Sequence, residues 1–93
     1  MVYHLKLKTG FFKKEEVEME VIANKLTLKT KSNKEIIIKN KDILHIDVIN
    51  KYKLPELEIH TKNINYILYL NNLSQEKEIY RQLTKIFKER FEI

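Results

Sequence analysis

The sequence contains no cysteine, no tryptophan, one glycine and one proline among its 93 residues. Without cysteine the chain forms neither a disulfide framework nor a thiolate metal site, which fits a cytoplasmic protein. Loops that bind nucleotide phosphates need several glycines because their backbone must approach the phosphate closely, and Gly10 is the only one. Walker-type and Rossmann-type sites are therefore excluded, with most of the cofactor chemistry attached to them, and we expect no cofactor.

Long hydrophobic runs are also absent. No apolar run approaches the roughly eighteen residues of a transmembrane helix, and the first ten residues alternate apolar and basic side chains, unlike a signal peptide. Hydrophobic residues make up 43% of the chain and charged residues 33%, which is enough for one core and too apolar for a disordered chain. We therefore expect a single domain spanning residues 1–93.

The dominant pattern is strict alternation of apolar and polar residues, which is typical of half-buried strands because successive side chains point to opposite faces. It predicts about seven strands within residues 2–71. The outward faces of the first three strands are basic, acidic and basic, which favours an antiparallel meander. Asn24 precedes the third strand, where we expect the left-handed backbone of a tight turn. The fifth strand should bury Leu44, Ile46 and Val48, and the seventh, Tyr66–Leu70, should be buried on both faces.

The period changes to 3.6 residues from Ser74 onward, which predicts a C-terminal amphipathic helix over about 74–91. Ser74 or Asn72 can cap its start. The apolar side of this helix carries Ile79, Leu83, Ile86, Phe87 and Phe91. The opposite side carries Lys77, Arg81, Lys85 and Lys88. The predicted class is therefore α+β, mainly β, with one helix after the strands.

Residues that could carry catalysis are few. The two aspartates, Asp42 and Asp47, lie at a turn and on an outward strand face. His4, His45 and His60 fall on three different predicted strands, without the spacing of zinc ligands on one element. His45 and Asp47 share a strand face and could meet as an acid–base pair, but any solvated face has the same spacing. We expect no enzyme, no catalytic residue and no metal site.

One loop has the composition of an anion or lipid contact. Lys8, Phe11, Phe12, Lys13 and Lys14 place two aromatic rings between lysines around the single glycine. Aromatic insertion combined with basic charge is a two-signal arrangement for anionic membranes. In the alternative interpretation Phe11 keeps the register of the first strand and extends the core face, which leaves Phe12 and the lysines as an ordinary charged bend.

Three stretches carry a resemblance to a known family: 34–43, Leu54–Thr61 and Tyr66–Leu70. In the first stretch, a strand leads into a short Asp-Ile step. In the second stretch, a later strand follows a proline. With seven strands closed by one helix, the chain resembles bacterial pleckstrin-homology (PH) and GRAM-like domains. The resemblance implies a strongly bent antiparallel sheet or barrel capped by the helix, used for protein contacts, self-assembly or lipid headgroups.

The leading functional hypothesis is a non-catalytic bacterial PH-like interaction domain that binds a protein partner or itself, without a small-molecule substrate. The first alternative is peripheral binding to anionic membrane lipids through the 8–14 loop, which would place a cytoplasmic protein at the membrane. The second alternative is nucleic-acid binding, which is less favoured because the glutamates of strand two separate the lysines of strands one and three.

Overall fold

The computed structural model describes residues 2–11, 13–22, 24–49, 55–71 and 73–87. The strands are β1 (Val2–Lys8), β2 (Lys14–Ile22), β3 (Lys25–Thr30), β4 (Glu35–Lys39), β5 (Ile43–Ile49), β6 (Glu56–Thr61) and β7 (Asn65–Tyr69). A 3-10 turn, Asn40–Asp42, links β4 to β5, and the helix α1 spans Leu73–Ile86. The predicted mainly β class with a C-terminal helix is confirmed.

All seven strands pair antiparallel in one sheet, in the order β4-β3-β2-β1-β7-β6-β5. The chain thus forms two meanders, β1–β4 and β5–β7, which β1 joins by pairing with both β2 and β7. The second of these pairings is short and involves Lys6 with Tyr69 and Leu7 with Leu68. The predicted meander of the first three strands is confirmed, and the edges of the sheet are β4 and β5.

Charge pairing across neighbouring strands explains the register of the first meander. Lys6 lies opposite Glu16, Glu18 opposite Lys29, and Lys29 opposite Glu35. Opposite charges on directly facing residues attract, whereas a one-residue slip would move each side chain to the other face of the sheet. The striped charge of the sequence therefore specifies both the neighbours and their alignment.

The inward positions of all seven strands and one face of α1 form a single core. In α1, Ile79, Leu83 and Phe87 are buried, and the N–H of Phe87 donates to the Leu83 carbonyl at 2.7 Å. The predicted positions Phe91 and Lys88 lie outside the described residues. The predicted basic side of the helix is exposed at Lys77, Arg81 and Lys85. No helix among the described residues is both long and apolar enough to cross a membrane.

The start of α1 is tied to β1 by side-chain amides. The Gln75 carbonyl oxygen accepts from the Asn71 N–H at 3.0 Å, and the amides of Asn71 and Gln75 both donate to the His4 carbonyl, at 2.7 and 3.2 Å. The side chain of Gln75 thus reaches back across the first turn and joins the segment before the helix to β1. Of the predicted caps, Asn72 and the side chain of Ser74 lie outside the described part of the chain.

A β-bulge changes the predicted core of β5. The register shifts between Ile43 and His45, so Leu44 is 56% exposed instead of buried. The extra residue of a bulge interrupts the alternation, and Ile43 and Ile46 are the buried residues of this strand. The prediction of Leu44 as a core residue is wrong, while Val48 is half-buried against the core.

Asn33 has a left-handed backbone in the turn between β3 and β4, with a φ of 65°. In this turn the Thr30 hydroxyl is 2.9 Å from the Ser32 hydroxyl and accepts from the Lys34 N–H at 3.2 Å. Asparagine tolerates this backbone region better than most residues. The left-handed backbone expected at Asn24 depends on the neighbouring residue 23, which lies outside the described residues, and it stays a prediction.

Strand β7 is less covered than the sequence predicts. Leu68 is fully buried, whereas Tyr66, Ile67 and Tyr69 are half-buried. The Lys14 ammonium lies 4.1 Å from the centre of the Tyr69 ring, over its face. Side chains of this kind, and not a second layer of secondary structure, cover the outer face.

Candidate functional site

Phe11 is prominently exposed in the loop between β1 and β2 (residues 9–13). Lys8 and Lys14 face each other where the strands end, and the Thr9 N–H donates to the Lys13 carbonyl at 2.9 Å. Phe11 is 83% exposed, so the interpretation in which it extends the core face is wrong.

The structure brings together only some of the residues of the predicted lipid or anion contact. Lys8 lies beside Phe11, with its Nζ 6.0 Å from the ring centre, and Lys13 is exposed. Lys14 is directed back onto the ring of Tyr69, and Phe12 lies outside the described residues. Lys14 is exposed as well, so among the described residues the part of the predicted site near Phe11 is this ring with Lys8, while Lys14 contacts Tyr69.

Strand β4 forms an open edge of the sheet. At its two ends the Asn40 N–H donates to the Asn24 carbonyl at 2.8 Å, and the Thr30 N–H donates to the Lys34 carbonyl at 2.9 Å. Hydrogen-bonded pairs alternate along an antiparallel ladder. The even-numbered residues of β4 therefore bond to β3, and the odd-numbered residues direct their N–H and C=O groups to the open edge.

The odd-numbered residues of β4 are Glu35, Ile37 and Lys39, all of which are exposed on the outer face. Ile37 is 49% exposed and lies between the two charges. The pairing of β4 with β3 has no register shift, so this strand presents a regular row of backbone groups. Such an edge is a template for pairing with another strand.

The opposite edge, β5, is irregular. The bulge at Leu44 breaks the row of backbone groups that this strand would otherwise present. Bulges are one way in which natural sheets prevent edge-to-edge pairing. The two edges therefore differ in their capacity to accept a further strand.

Four polar side chains meet on the outer face of β5 and β6, here called the histidine–carboxylate cluster: His45, Asp47, Glu58 and His60. His45 lies opposite His60, and Asp47 opposite Glu58. The Oδ2 of Asp47 is 3.0 Å from Nε2 of His45 and 3.3 Å from Nε2 of His60. The Nε2 of His60 is also 3.4 Å from Oε1 of Glu58, and the two imidazole rings stack with centres 4.1 Å apart.

The outer face of the sheet is partly solvated at this cluster. The side chains of His45, Asp47 and His60 are 36%, 32% and 21% exposed, and one donor atom from each lies within 4.8 Å of the others. His45 and Asp47 do meet, as their spacing allowed. The pairing of β5 with β6 adds His60 to this pair. A prediction of the register between these two strands would have placed His60 beside His45.

A cleft of about 510 Å³ lies on the outer face of β1–β3. Its charged lining includes Glu16, Glu18, Lys29 and Lys31. Lys31 Nζ lies 2.5 Å from Glu16 Oε2, and Glu18 faces Lys29 across the strands. Two acidic and two basic side chains thus balance in number, which leaves the cleft without a strong preference for an ion of either sign.

Comparisons with protein-family models and with curated proteins find no match for this sequence. Three groups of residues are candidates for function: the β1–β2 loop, the open edge of β4 and the histidine–carboxylate cluster.

Proposed function

We propose that this protein is a non-catalytic, PH-like interaction domain that self-associates by pairing β4 of one copy with β4 of a second copy. The order of seven antiparallel strands and one C-terminal helix supports the PH-like assignment. The observation that carries the self-association is the β4 edge, which is regular, unpaired by any described strand, and self-complementary in sequence.

Self-complementarity follows from the sequence Glu35-Ile36-Ile37-Ile38-Lys39. An antiparallel pairing about a two-fold axis at Ile37 places Glu35 opposite Lys39 of the second copy, and the reverse. Ile37 then faces Ile37 of the second copy, and both isoleucines lose exposed surface. Directly opposed unlike charges and β-branched pairs each stabilise a strand pair by about 0.2–1 kcal/mol.

The contact is expected to be weak. One short strand pair buries less than the roughly 1,200 Å² of a standard protein interface, and interfaces of that size are typically transient. We therefore expect a monomer–dimer equilibrium with a dissociation constant on the order of 10–100 µM.

Sedimentation equilibrium over a concentration series tests this association. Ile37→Lys places two like charges at the two-fold axis and should yield a monomer. Lys39→Glu alone should also weaken the dimer, whereas the double exchange of Glu35→Lys with Lys39→Glu restores opposite charges and should restore it. Leu44→Lys is the matched control, because it places the same charge on the other edge of the sheet.

The outcomes separate the possibilities clearly. Loss of the dimer in the single β4 variants with recovery in the double exchange supports the pairing. A strict monomer at every concentration, or a dimer that responds to Leu44→Lys and not to Ile37→Lys, would contradict it.

A second candidate function, favoured by the exposure of Phe11, is peripheral binding to an anionic lipid surface. Insertion of this ring would be accompanied by contacts of Lys8 and Lys13 with lipid headgroups. Burial of a phenylalanine contributes about 1.5–3 kcal/mol, so Phe11→Ala should weaken binding to phosphatidylserine vesicles by about tenfold or more. Ile64→Ala, at another exposed apolar loop position, is the control. Equal binding of the parent and Phe11→Ala at physiological salt would exclude this use of the loop.

Nucleic-acid binding remains the least favoured function. The rows of alternating charge across β1–β4 give this outer face no continuous basic strip among the described residues, and a basic groove is what single-stranded nucleic acids require.

A further inference from the structure

We propose that His45, Asp47 and His60 form a binding site for a divalent transition-metal ion of the zinc type. Two imidazole nitrogens and one carboxylate oxygen are a donor set that zinc and its neighbours in the first transition row prefer. Three protein ligands leave a fourth position for water or another donor. This site is independent of the proposed pairing of β4.

The distances between the donor atoms fit one shared ion. Zinc binds histidine nitrogen at about 2.0–2.1 Å, so neighbouring ligand atoms of a tetrahedral site lie about 3.3 Å apart. The Oδ2 of Asp47 is 3.0 Å from Nε2 of His45 and 3.3 Å from Nε2 of His60. The carboxylate oxygen therefore lies from each nitrogen at the spacing of two ligands of one ion, and the three donor atoms all lie within 4.8 Å of one another.

Ion binding requires one imidazole ring to turn. The rings of His45 and His60 stack at an interplanar angle of 19°, whereas an ion must lie close to the plane of each ring that binds it. Rotation about the bond between Cβ and the ring meets broad energy wells. His45 is the more exposed of the two side chains and has room for this rotation.

The charges of the cluster independently favour a bound cation. Asp47 and Glu58 face each other directly across β5 and β6, and like charges in that position destabilise a sheet. Among the described residues no lysine or arginine nitrogen lies within 4.0 Å of either carboxylate. A divalent ion beside Asp47 would offset this repulsion.

The ring of His60 gives a second indication that a cation binds at this cluster. Its Nε2 atom is buried and makes no hydrogen bond of good geometry with the described residues, although two carboxylates lie 3.3 and 3.4 Å away. A buried polar atom without a hydrogen bond is costly. A metal ion held by Asp47 and His60 would satisfy it, with Glu58 beside the site.

Calorimetric titration of the tag-free protein with Zn²⁺ at pH 7.5, where free imidazoles are mostly neutral, tests the site. We expect saturable binding of one ion per chain. His45→Gln and His60→Gln should each weaken Zn²⁺ binding by about tenfold or more, because each removes one of three ligands. His4→Gln is the matched control, since it removes the third histidine, on β1, and leaves the cluster intact.

A second measurement separates loss of a ligand from loss of the fold. Asp47→Asn preserves the size of the side chain and should also weaken Zn²⁺ binding, while circular dichroism shows each variant to be folded. At the same Zn²⁺ concentration, Zn²⁺ should raise the unfolding temperature of the parent and of His4→Gln more than that of His60→Gln. Absence of saturable binding, or equal affinity of folded His60→Gln and the parent, would overturn the proposal.

Discussion

Truncation of Phe87 should remove a large share of the stability of this fold. Phe87 is 1% exposed, lies one residue beyond the end of α1 and packs into the single core. Phenylalanine-to-alanine substitutions in cores cost about 3–5 kcal/mol. The free energy of unfolding of a domain of this length is about 5–14 kcal/mol in total, at about 0.05–0.15 kcal/mol per residue. Phe87→Ala should therefore leave a marginally stable protein.

The assay is urea unfolding followed by circular dichroism. At an m-value of about 1.5 kcal/mol/M, the midpoint should fall by about 2–3 M. Phe11→Ala is the matched control, because it is the same substitution at a ring that is 83% exposed, and its effect should stay within about 0.5 kcal/mol. A midpoint for Phe87→Ala close to that of Phe11→Ala would refute the reasoning that this ring fastens the helix to the sheet.

Two further predictions concern the turn after β3 and the ion pair beside it. Asn33→Ala should lower the unfolding free energy by about 1–2 kcal/mol, because its φ of 65° is costly for alanine, whereas Asn33→Gly should be nearly neutral in thermal unfolding. The hydrogen bond and charge of Lys31 lower the pKa of Glu16. The pair therefore stabilises the fold at a pH above the pKa of Glu16 in the unfolded chain. This stabilisation is lost as the pH falls through the pKa of Glu16 in the folded protein. Lys31→Met should raise the Glu16 midpoint in a low-salt NMR titration, and an unchanged midpoint would contradict this coupling.

Much of the fold could be predicted because its determinants are local in sequence. Alternation identified most of the strands, and the β-branched run at Glu35–Lys39 identified β4 with both of its ends. The bulge at Leu44 could not be predicted in this way, since a bulge interrupts alternation only locally and its position depends on the partner strand. The left-handed backbone of Asn33 likewise depends on the hydrogen bonds of Thr30, which join residues across the turn.

The candidate sites were less predictable because they depend on which strands become neighbours. Phe11 is in register with β1, and only the end of the strand at Lys8 takes it out of the core. His60 meets Asp47 through the pairing of β5 with β6, which the sequence did not specify. The open edge at β4 likewise follows from the order of strands in the sheet.

The contrast between the two sheet edges supports a closed dimer over open-ended assembly. Pairing β4 of one copy with β5 of the next would leave a free edge at each end and would build filaments. The bulge at Leu44 disfavours that arrangement by interrupting β5. Pairing β4 with β4 about a two-fold axis uses the same edge on both copies, so association stops at two. A regular edge with Ile37 between opposite charges is thus compatible with a limited, self-complementary contact.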